Sequence, residues 1–172
     1  MEPAEPERRW FALRLRSNFE RKANAFCRGQ SIETLLPTYQ RRSRKHGGPA
    51  VIDRPLFSGY LFARIDVGSP EKVALLHAPG AVELVRFGGP PCAISDGEIE
   101  SVRIVSQPGS GVEPHPFLRE GVAVEVIAGP FAGARGILHT AEARKSKFVV
   151  SLELLGRSVA VPIEPDMVEI CT

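Results

Sequence analysis

The chain has 172 residues, of which 43% are hydrophobic and 24% are charged, and its formal net charge at pH 7 is +2. These proportions are ordinary for a globular protein of one domain or two small ones, and they argue against a purely RNA-binding protein, which would be more basic. No apolar run approaches the ~20 residues that a membrane helix needs, so no membrane-spanning segment is predicted.

The first predicted elements are alternating strands and helices. Polar-apolar alternation predicts a strand over 9–15, and the capping-box pattern Ser17–Glu20 predicts a helix that ends near Arg28. Further strands are predicted over 32–36, from Val51, over 59–66 and over 82–87, with helices after Ser69 and Ser95. The order β-α-β-β-(α)-β-α favours a ferredoxin-like α/β sandwich, with helices on one face of an antiparallel sheet.

The composition changes towards the C-terminal part. Residues 108–117 read as a linker, because their first half is rich in Gly and Ser and their second half in Pro. From Gly121 onwards, alternating valines and glycine turns predict five short strands, and hence a small β-barrel. We therefore predict a first domain over 8–107, a linker over 108–117 and a second domain over 118–172.

No catalytic, cofactor-binding or metal-binding site is predicted. The three cysteines include no CxxC pair, and the four histidines have no ligand spacing; these residues are Cys27, Cys92, Cys171, His46, His77, His115 and His139. No nucleophile, phosphate-binding or paired-acid motif is present. The acidic N-terminus lacks the apolar region of a secretory signal, so we expect a cytoplasmic protein. Because no catalytic motif is present, we expect a binding protein rather than an enzyme, and we expect it to be a monomer.

Charge and aromatic patterning indicate two candidate surfaces. Residues 1–60 hold 12 Lys/Arg and 6 Asp/Glu, net +6, whereas residues 61–172 hold 10 and 14, net −4, so the first third could contact nucleic acid or could simply be a solvated face. In the strand over 59–66, Tyr60 and Phe62 face away from the aliphatic side, and Trp10 has the same phase in the first strand. These rings either form an open interaction surface or pack against another layer.

Two motifs resemble signatures of the NusG family of transcription elongation factors. Pro55–Phe62, PLFSGYLF, resembles the strand motif of the NGN domain, and Gly129–Gly136, GPFAGARG, resembles the turn of the KOW domain. The resemblance covers about residues 9–170. It implies an α+β fold, with a ferredoxin-like NGN α/β sandwich followed by a small five-stranded, SH3-like KOW β-barrel.

The resemblance also implies partners. It implies that Trp10, Tyr60 and Phe62 bind the clamp helices of the largest RNA polymerase subunit, modulating pausing, elongation, termination and antitermination. The basic hairpin is expected to contact upstream or non-template DNA through Arg41, Arg42, Arg44 and Lys45. In the KOW domain, Leu154, Leu155 and Arg157 are expected to contact termination factor Rho or a small-subunit ribosomal protein.

The chain departs from the family pattern in one informative place. Ser58 stands where PLFPGY-type motifs have proline, which relaxes the turn. Separately, the pattern Trp10–Ser17 and the long basic hairpin are more similar to specialised paralogues. General and operon-specific roles both remain open. The alternative function is that of a ribosome-associated or RNA-binding KOW protein, against which the aromatic NGN motif argues.

Overall fold

The computed structural model describes residues 4–43, 48–140 and 145–172. Within them the chain divides into two compact units, the first comprising Met1–Leu36 and Ser58–Asp96 and the second comprising Pro37–Phe57 and Gly97–Thr172. No helix in these described ranges is long and apolar enough to cross a membrane.

The helices and strands follow one another as a mixed α/β series. The elements are β1 (Arg9–Leu15), α1 (Glu20–Gly29), β2 (Glu33–Leu35), β3 (Thr38–Ser43), β4 (Ala50–Pro55), β5 (Tyr60–Ile65), α2 (Glu71–Leu76), β6 (Ala81–Leu84), α3 (Asp96–Val105), β7 (Glu113–His115), β8 (Val122–Val126), β9 (Arg135–Thr140), β10 (Ser146–Leu152), β11 (Arg157–Pro162) and β12 (Val168–Ile170). The predicted α+β class is confirmed.

The first unit is built on an antiparallel sheet with the strand order β2-β5-β1-β6. One face of this sheet holds a buried aliphatic core with residues from α1 and α2, including Leu13, Leu61, Ala23 and Leu75. Strand β1 has the predicted bounds, because its alternation reflects a sheet with a well-defined core face. The central β1–β5 pair therefore fixes which side chains share each face.

Helix α1 begins two residues later than the capping-box pattern predicts, with the N-cap at Phe19 instead of Ser17. Its first residue is Glu20, Phe19 occupies the N-cap without a side-chain hydrogen bond, and Asn18 has a positive φ of 68°. Glu20 is buried, and its Oε1 accepts a hydrogen bond from the N–H of Gly59 at 2.9 Å. The carboxylate expected to cap its own helix is thus used to bind the turn before β5.

The second unit contains the hairpin β3–β4, helix α3 and a six-stranded sheet with the order β12-β8-β9-β10-β11-β7. Five of these strands match the predicted barrel strands. The sixth, β7, lies within the predicted linker 108–117 and pairs with β11, so Glu113–His115 form part of the sheet. Its central residue, Pro114, is tolerated because β7 is an edge strand.

A connecting segment, 116–121, runs from β7 to β8 and is held against β10 and β11 by two serines. Ser151 Oγ donates to the carbonyl of Leu118 at 2.6 Å, and the N–H of Leu118 donates to Ser158 Oγ at 3.0 Å. The two hydroxyl oxygens are themselves 2.6 Å apart. Both backbone polar groups of Leu118 are therefore satisfied without regular strand pairing.

Candidate interaction surfaces

The structure brings Trp10, Tyr60 and Phe62 to one face of the first unit's sheet. The register pairs Trp10 with Arg64, Ala12 with Phe62, and Arg14 with Tyr60. Paired residues share a face, so the ring of Trp10 on β1 and the rings of Phe62 and Tyr60 on β5 lie on the same face. Cross-strand neighbours of this kind lie ~5 Å apart, and diagonal ones are within reach of aromatic rings. The aromatic face, defined as Trp10, Phe62 and Tyr60, is thus a contiguous patch.

Two ion pairs border the aromatic face. Arg14 Nη2 lies 3.1 Å from Glu83 Oε1 on β6, and Arg64 Nη1 lies 3.5 Å from Glu33 Oε2 on β2. All four side chains are exposed by roughly half of their surface. The aromatic face therefore has an apolar centre bordered by charged side chains.

The centre of the patch is not open. Trp10 is 5% exposed and Phe62 is fully buried, whereas Tyr60 is half-buried. Of the two alternatives that the alternation left, burial of these rings against other atoms therefore holds for Trp10 and Phe62. Tyr60 is the ring that a partner reaches directly, and its neighbour Arg14 is exposed.

The turn before Tyr60 is the structural centre of the PLFSGYLF motif. Leu56 and Phe57 are buried, and Gly59 has φ of 84°, a left-handed conformation that favours glycine. The backbone of Gly59 is held on both sides, since its N–H donates to Glu20 and its carbonyl accepts from the N–H of Leu15 at 2.7 Å. Sequence reasoning missed Glu20 as a determinant of this site, because the capping pattern offered it a local role.

The hairpin β3–β4 divides the predicted basic cluster. Arg41 and Arg42 are both exposed but, as neighbours in one strand, they project from opposite faces. The register pairs Tyr39 with Arg54 and Arg41 with Ile52, which places Tyr39, Arg41 and Arg54 on one face. Arg44 and Lys45 lie outside the described residues. The face of Tyr39, Arg41 and Arg54, named here the basic hairpin face, combines two cations with an aromatic ring.

Residues of this hairpin also line a cavity of ≈ 830 Å³ within the second unit. Its other wall is the segment 106–114, which is rich in Gly, Ser and Pro. Polar side chains contribute to the cavity, among them Thr38, Gln40, Arg41 and Arg42. The sequence did not predict it, because the two walls are far apart along the chain.

Leu154 and Leu155 lie in a turn, not in a strand. Strand β10 ends at Leu152, and the N–H groups of Leu155 and Gly156 donate back to the carbonyls of Leu152 and Glu153. Both leucines are half-buried. Arg157 follows as the exposed first residue of β11. The three residues therefore form one continuous loop surface.

The GPFAGARG turn shapes the barrel and contacts α3. Gly129 and Gly133 have φ of 80° and 92°, and a Cβ on Gly136 would overlap the carbonyl oxygen of Val149. The N–H of Arg135 donates to the buried hydroxyl of Ser101 on α3 at 3.0 Å. This motif is accordingly a structural element of the second unit, in which positive φ favours glycine at 129 and 133 and close backbone approach requires it at 136.

The described residues contain no group of three or more His, Cys, Asp or Glu side chains arranged to hold a metal ion. Cys27 is fully buried, and desolvation raises the pKa of its thiol to about 11. A thiol of this kind is unreactive at neutral pH. Cys171, by contrast, is exposed near the C-terminus.

Comparison with known proteins gives a consistent result. A family model described as "NusG: Transcription termination factor nusG" matches residues 8–103. The chain is 27% identical to the transcription termination/antitermination protein NusG of Thermus thermophilus over 90% of this chain and 94% of that protein. It is 28% identical to the protein of that name from Pseudomonas aeruginosa, over 90% and 89% of the two chains.

A solved structure has the same fold. The structure titled "Domain interaction in Thermotoga maritima NusG" superposes with a TM-score of 0.55, covering 96% of this chain and 98% of the other at 18% identity. The structural similarity, like the matched family model, spans the sheet that carries Trp10, Tyr60 and Phe62.

Proposed function

Because this chain belongs to the NusG family of transcription termination and antitermination factors, we propose that it binds RNA polymerase through the aromatic face and modulates pausing, elongation and termination. The observation that carries the proposal is the placement of Trp10, Tyr60 and Phe62 on one face, within the region matched by the family model. The partner would be the clamp helices of the largest polymerase subunit. The action is one of binding, which shifts the populations of paused and active polymerase without covalent chemistry.

The three rings have different roles in this proposal, which the difference in their burial supports. Tyr60 contacts a docked helix directly, with Arg14 and Glu83 beside it as a polar rim. Trp10 and Phe62 are buried in this conformation, so their direct contact with the polymerase requires the face to open, and otherwise they set the shape beneath Tyr60. Aromatic residues surrounded by a polar rim are the usual energetic centre of such interfaces.

A binding experiment with the full chain tests this proposal. Tyr60→Ala should weaken binding to a purified bacterial elongation complex by roughly tenfold or more, as expected for loss of an interface hot spot. Tyr60→Phe keeps the ring and should bind nearly normally, and Val73→Ala, 58% exposed on α2, is a matched control away from the face. Equal binding by Tyr60→Ala and Val73→Ala would exclude the aromatic face as the polymerase contact.

The second part of the proposal is that the hairpin contacts upstream or non-template DNA. Phosphates would be neutralised by Arg41 and Arg54, and an unstacked base could pack on Tyr39, since all three share the basic hairpin face. Arg44 and Lys45 are expected to extend this contact. Arg41→Ala/Arg54→Ala should weaken binding of single-stranded DNA and reduce the slope of log affinity against log salt, whereas Arg42→Ala on the opposite face should do so less. An equal effect of Arg42→Ala would disprove the assignment to one face.

The third part concerns the barrel. We assign recruitment of Rho or of a small-subunit ribosomal protein to the loop Leu154, Leu155 and Arg157, which offers two half-buried apolar side chains next to a cation. Leu154→Ala/Leu155→Ala should reduce capture of the purified partner without affecting polymerase binding. The domain bounds 8–107 and 118–172 remain part of this proposal. Unchanged capture of both partners would remove the loop from the interface.

A further inference from the structure

We infer that His115 and His139 form a binding site for one divalent transition-metal ion on the barrel of the second unit. His115 is the last residue of β7 and His139 lies within β9, so no short ligand-spacing motif in the sequence indicates the pair. Their ring centroids are 5.8 Å apart, with planes inclined by 68°. Both side chains are half-buried, which leaves them accessible to an ion from solvent.

The hydrogen bonding of His115 prepares it as a ligand. Its Nδ1 lies 2.7 Å from the carbonyl oxygen of Pro116. A carbonyl can only accept, so Nδ1 carries the proton and Nε2 keeps a free lone pair in the neutral ring. Metal-binding histidines characteristically donate their second nitrogen to a carbonyl or carboxylate in this way, which fixes the ring and increases its basicity.

The ring separation fits a shared ion. With metal–nitrogen bonds of about 2.0–2.1 Å, each ring centroid lies about 3.2 Å from the ion, and a tetrahedral angle places the two centroids about 5.2 Å apart. The observed 5.8 Å is close to this value, and the edge-to-face arrangement at 68° requires rotation of a ring so that a nitrogen of each imidazole faces the ion. Two imidazoles leave the remaining positions to water, and this donor set suits Zn²⁺, Cu²⁺ or Ni²⁺ rather than Mg²⁺ or Ca²⁺.

The local charge does not oppose a cation. Lys147 is the cross-strand partner of His139, but its Nζ is engaged by Glu113 Oε1 at 3.3 Å. Glu113 lies two residues before His115 in β7, so its carboxylate is on the same side of the strand and offsets the charge of Lys147 beside the two rings. The ion would join β7 to β9 and thereby fix the start of the connecting segment 116–121.

Calorimetric titration of the full chain with Zn²⁺ tests the inference. The thiols of Cys92 and Cys171 could bind Zn²⁺ themselves, so the parent is Cys92→Ser/Cys171→Ser, in which the only remaining thiol is the buried Cys27. We compare His115→Gln and His139→Gln with His77→Gln, an exposed histidine of the first unit. Loss of an outer-shell partner alone costs about 10–100-fold in metal affinity, so loss of either ligand should weaken Zn²⁺ binding at least tenfold.

A second measurement separates binding from folding. Zn²⁺ should raise the thermal unfolding temperature of the parent and of His77→Gln, and should leave that of the other two variants unchanged. Their unfolding temperatures without Zn²⁺ identify any variant that is simply misfolded. Absence of Zn²⁺ binding by the parent, or binding by His115→Gln or His139→Gln as tight as that of the parent and of His77→Gln, would overturn the inference. Neither outcome would affect the proposed polymerase contact, which lies on the first unit.

Discussion

Replacement of Glu20 should destabilise the first unit through the turn that precedes Tyr60. Glu20 is 6% exposed, and its Oε1 accepts from the Gly59 N–H at 2.9 Å. A hydrogen bond to a charged group contributes about 1.5–3 kcal/mol, and a neutral one about 0.5–1.5 kcal/mol. We therefore expect Glu20→Ala to lower the free energy of unfolding by about 2 kcal/mol, and Glu20→Gln, which keeps an amide oxygen, by about 1 kcal/mol.

Urea unfolding followed by fluorescence measures this effect directly. Trp10 is the only tryptophan and is buried in the same sheet, so its emission reports unfolding of the first unit. Glu33→Ala is the control, since Glu33 is an exposed carboxylate whose ion pair with Arg64 should contribute below about 1 kcal/mol. If Glu20→Ala is no less stable than Glu33→Ala, the Glu20–Gly59 hydrogen bond does not stabilise the fold and the reasoning is refuted.

Three further predictions concern stability and reactivity. Gly80→Ala should lower the free energy of unfolding by about 2–5 kcal/mol, because φ is positive and a Cβ would overlap Phe19. Gly88→Ala also has a positive φ but meets open space, so it should lower that free energy by about 1–2 kcal/mol. Equal losses of stability in urea unfolding would contradict the steric clash with Phe19. Cys171 should react quickly with a thiol reagent at pH 8, and Cys27, with its pKa raised to about 11, only on unfolding; fast labelling of a Cys92→Ser/Cys171→Ser variant would be incompatible with this. The Arg8 guanidinium hydrogen-bonds to Glu71 and lowers the pKa of that carboxyl, so the pair should stabilise the fold above the ordinary glutamate pKa and cease to do so as pH falls through the lowered value. Glu71→Gln should flatten this part of the plot of unfolding free energy against pH. An unchanged plot would exclude Glu71 as the source of the pH dependence.

The strands of the first unit could be predicted because their periodicity has one dominant cause. Strand β1 alternates between an aliphatic core face and the aromatic face, and the observed bounds are those predicted. The start of α1 could not be predicted in the same way. Its capping pattern is local, whereas the hydrogen bond that claims Glu20 comes from Gly59, far along the chain. The Glu20 carboxylate could have capped its own helix or bound the Gly59 turn, and the tertiary contact with Gly59 is the one that forms.

The sequence predicts which residues share a face at the candidate sites better than it predicts whether those residues are buried or exposed. Alternation placed Trp10 and Phe62 on a common face, but the period of two cannot tell a covered face from an open one, and both are buried. Strand β7 was missed because Glu113–His115 has the proline content of a linker, which an edge strand tolerates. The pairing of His115 with His139 depends on barrel curvature, for which short strands give no sequence pattern.

The hydrogen bonds that hold Leu118 and the pairing of β7 with β11 determine where a fragment containing the barrel should begin if it is expressed separately. A fragment that begins at 118, as the composition suggests, would lack β7 and leave the edge of β11 that pairs with it without a strand partner. Such an unpaired, β-branched edge is a template for intermolecular strand addition, so the shorter fragment would tend to self-associate. A fragment that begins before Glu113 carries its own edge protection, with Pro114 as a built-in block to further pairing.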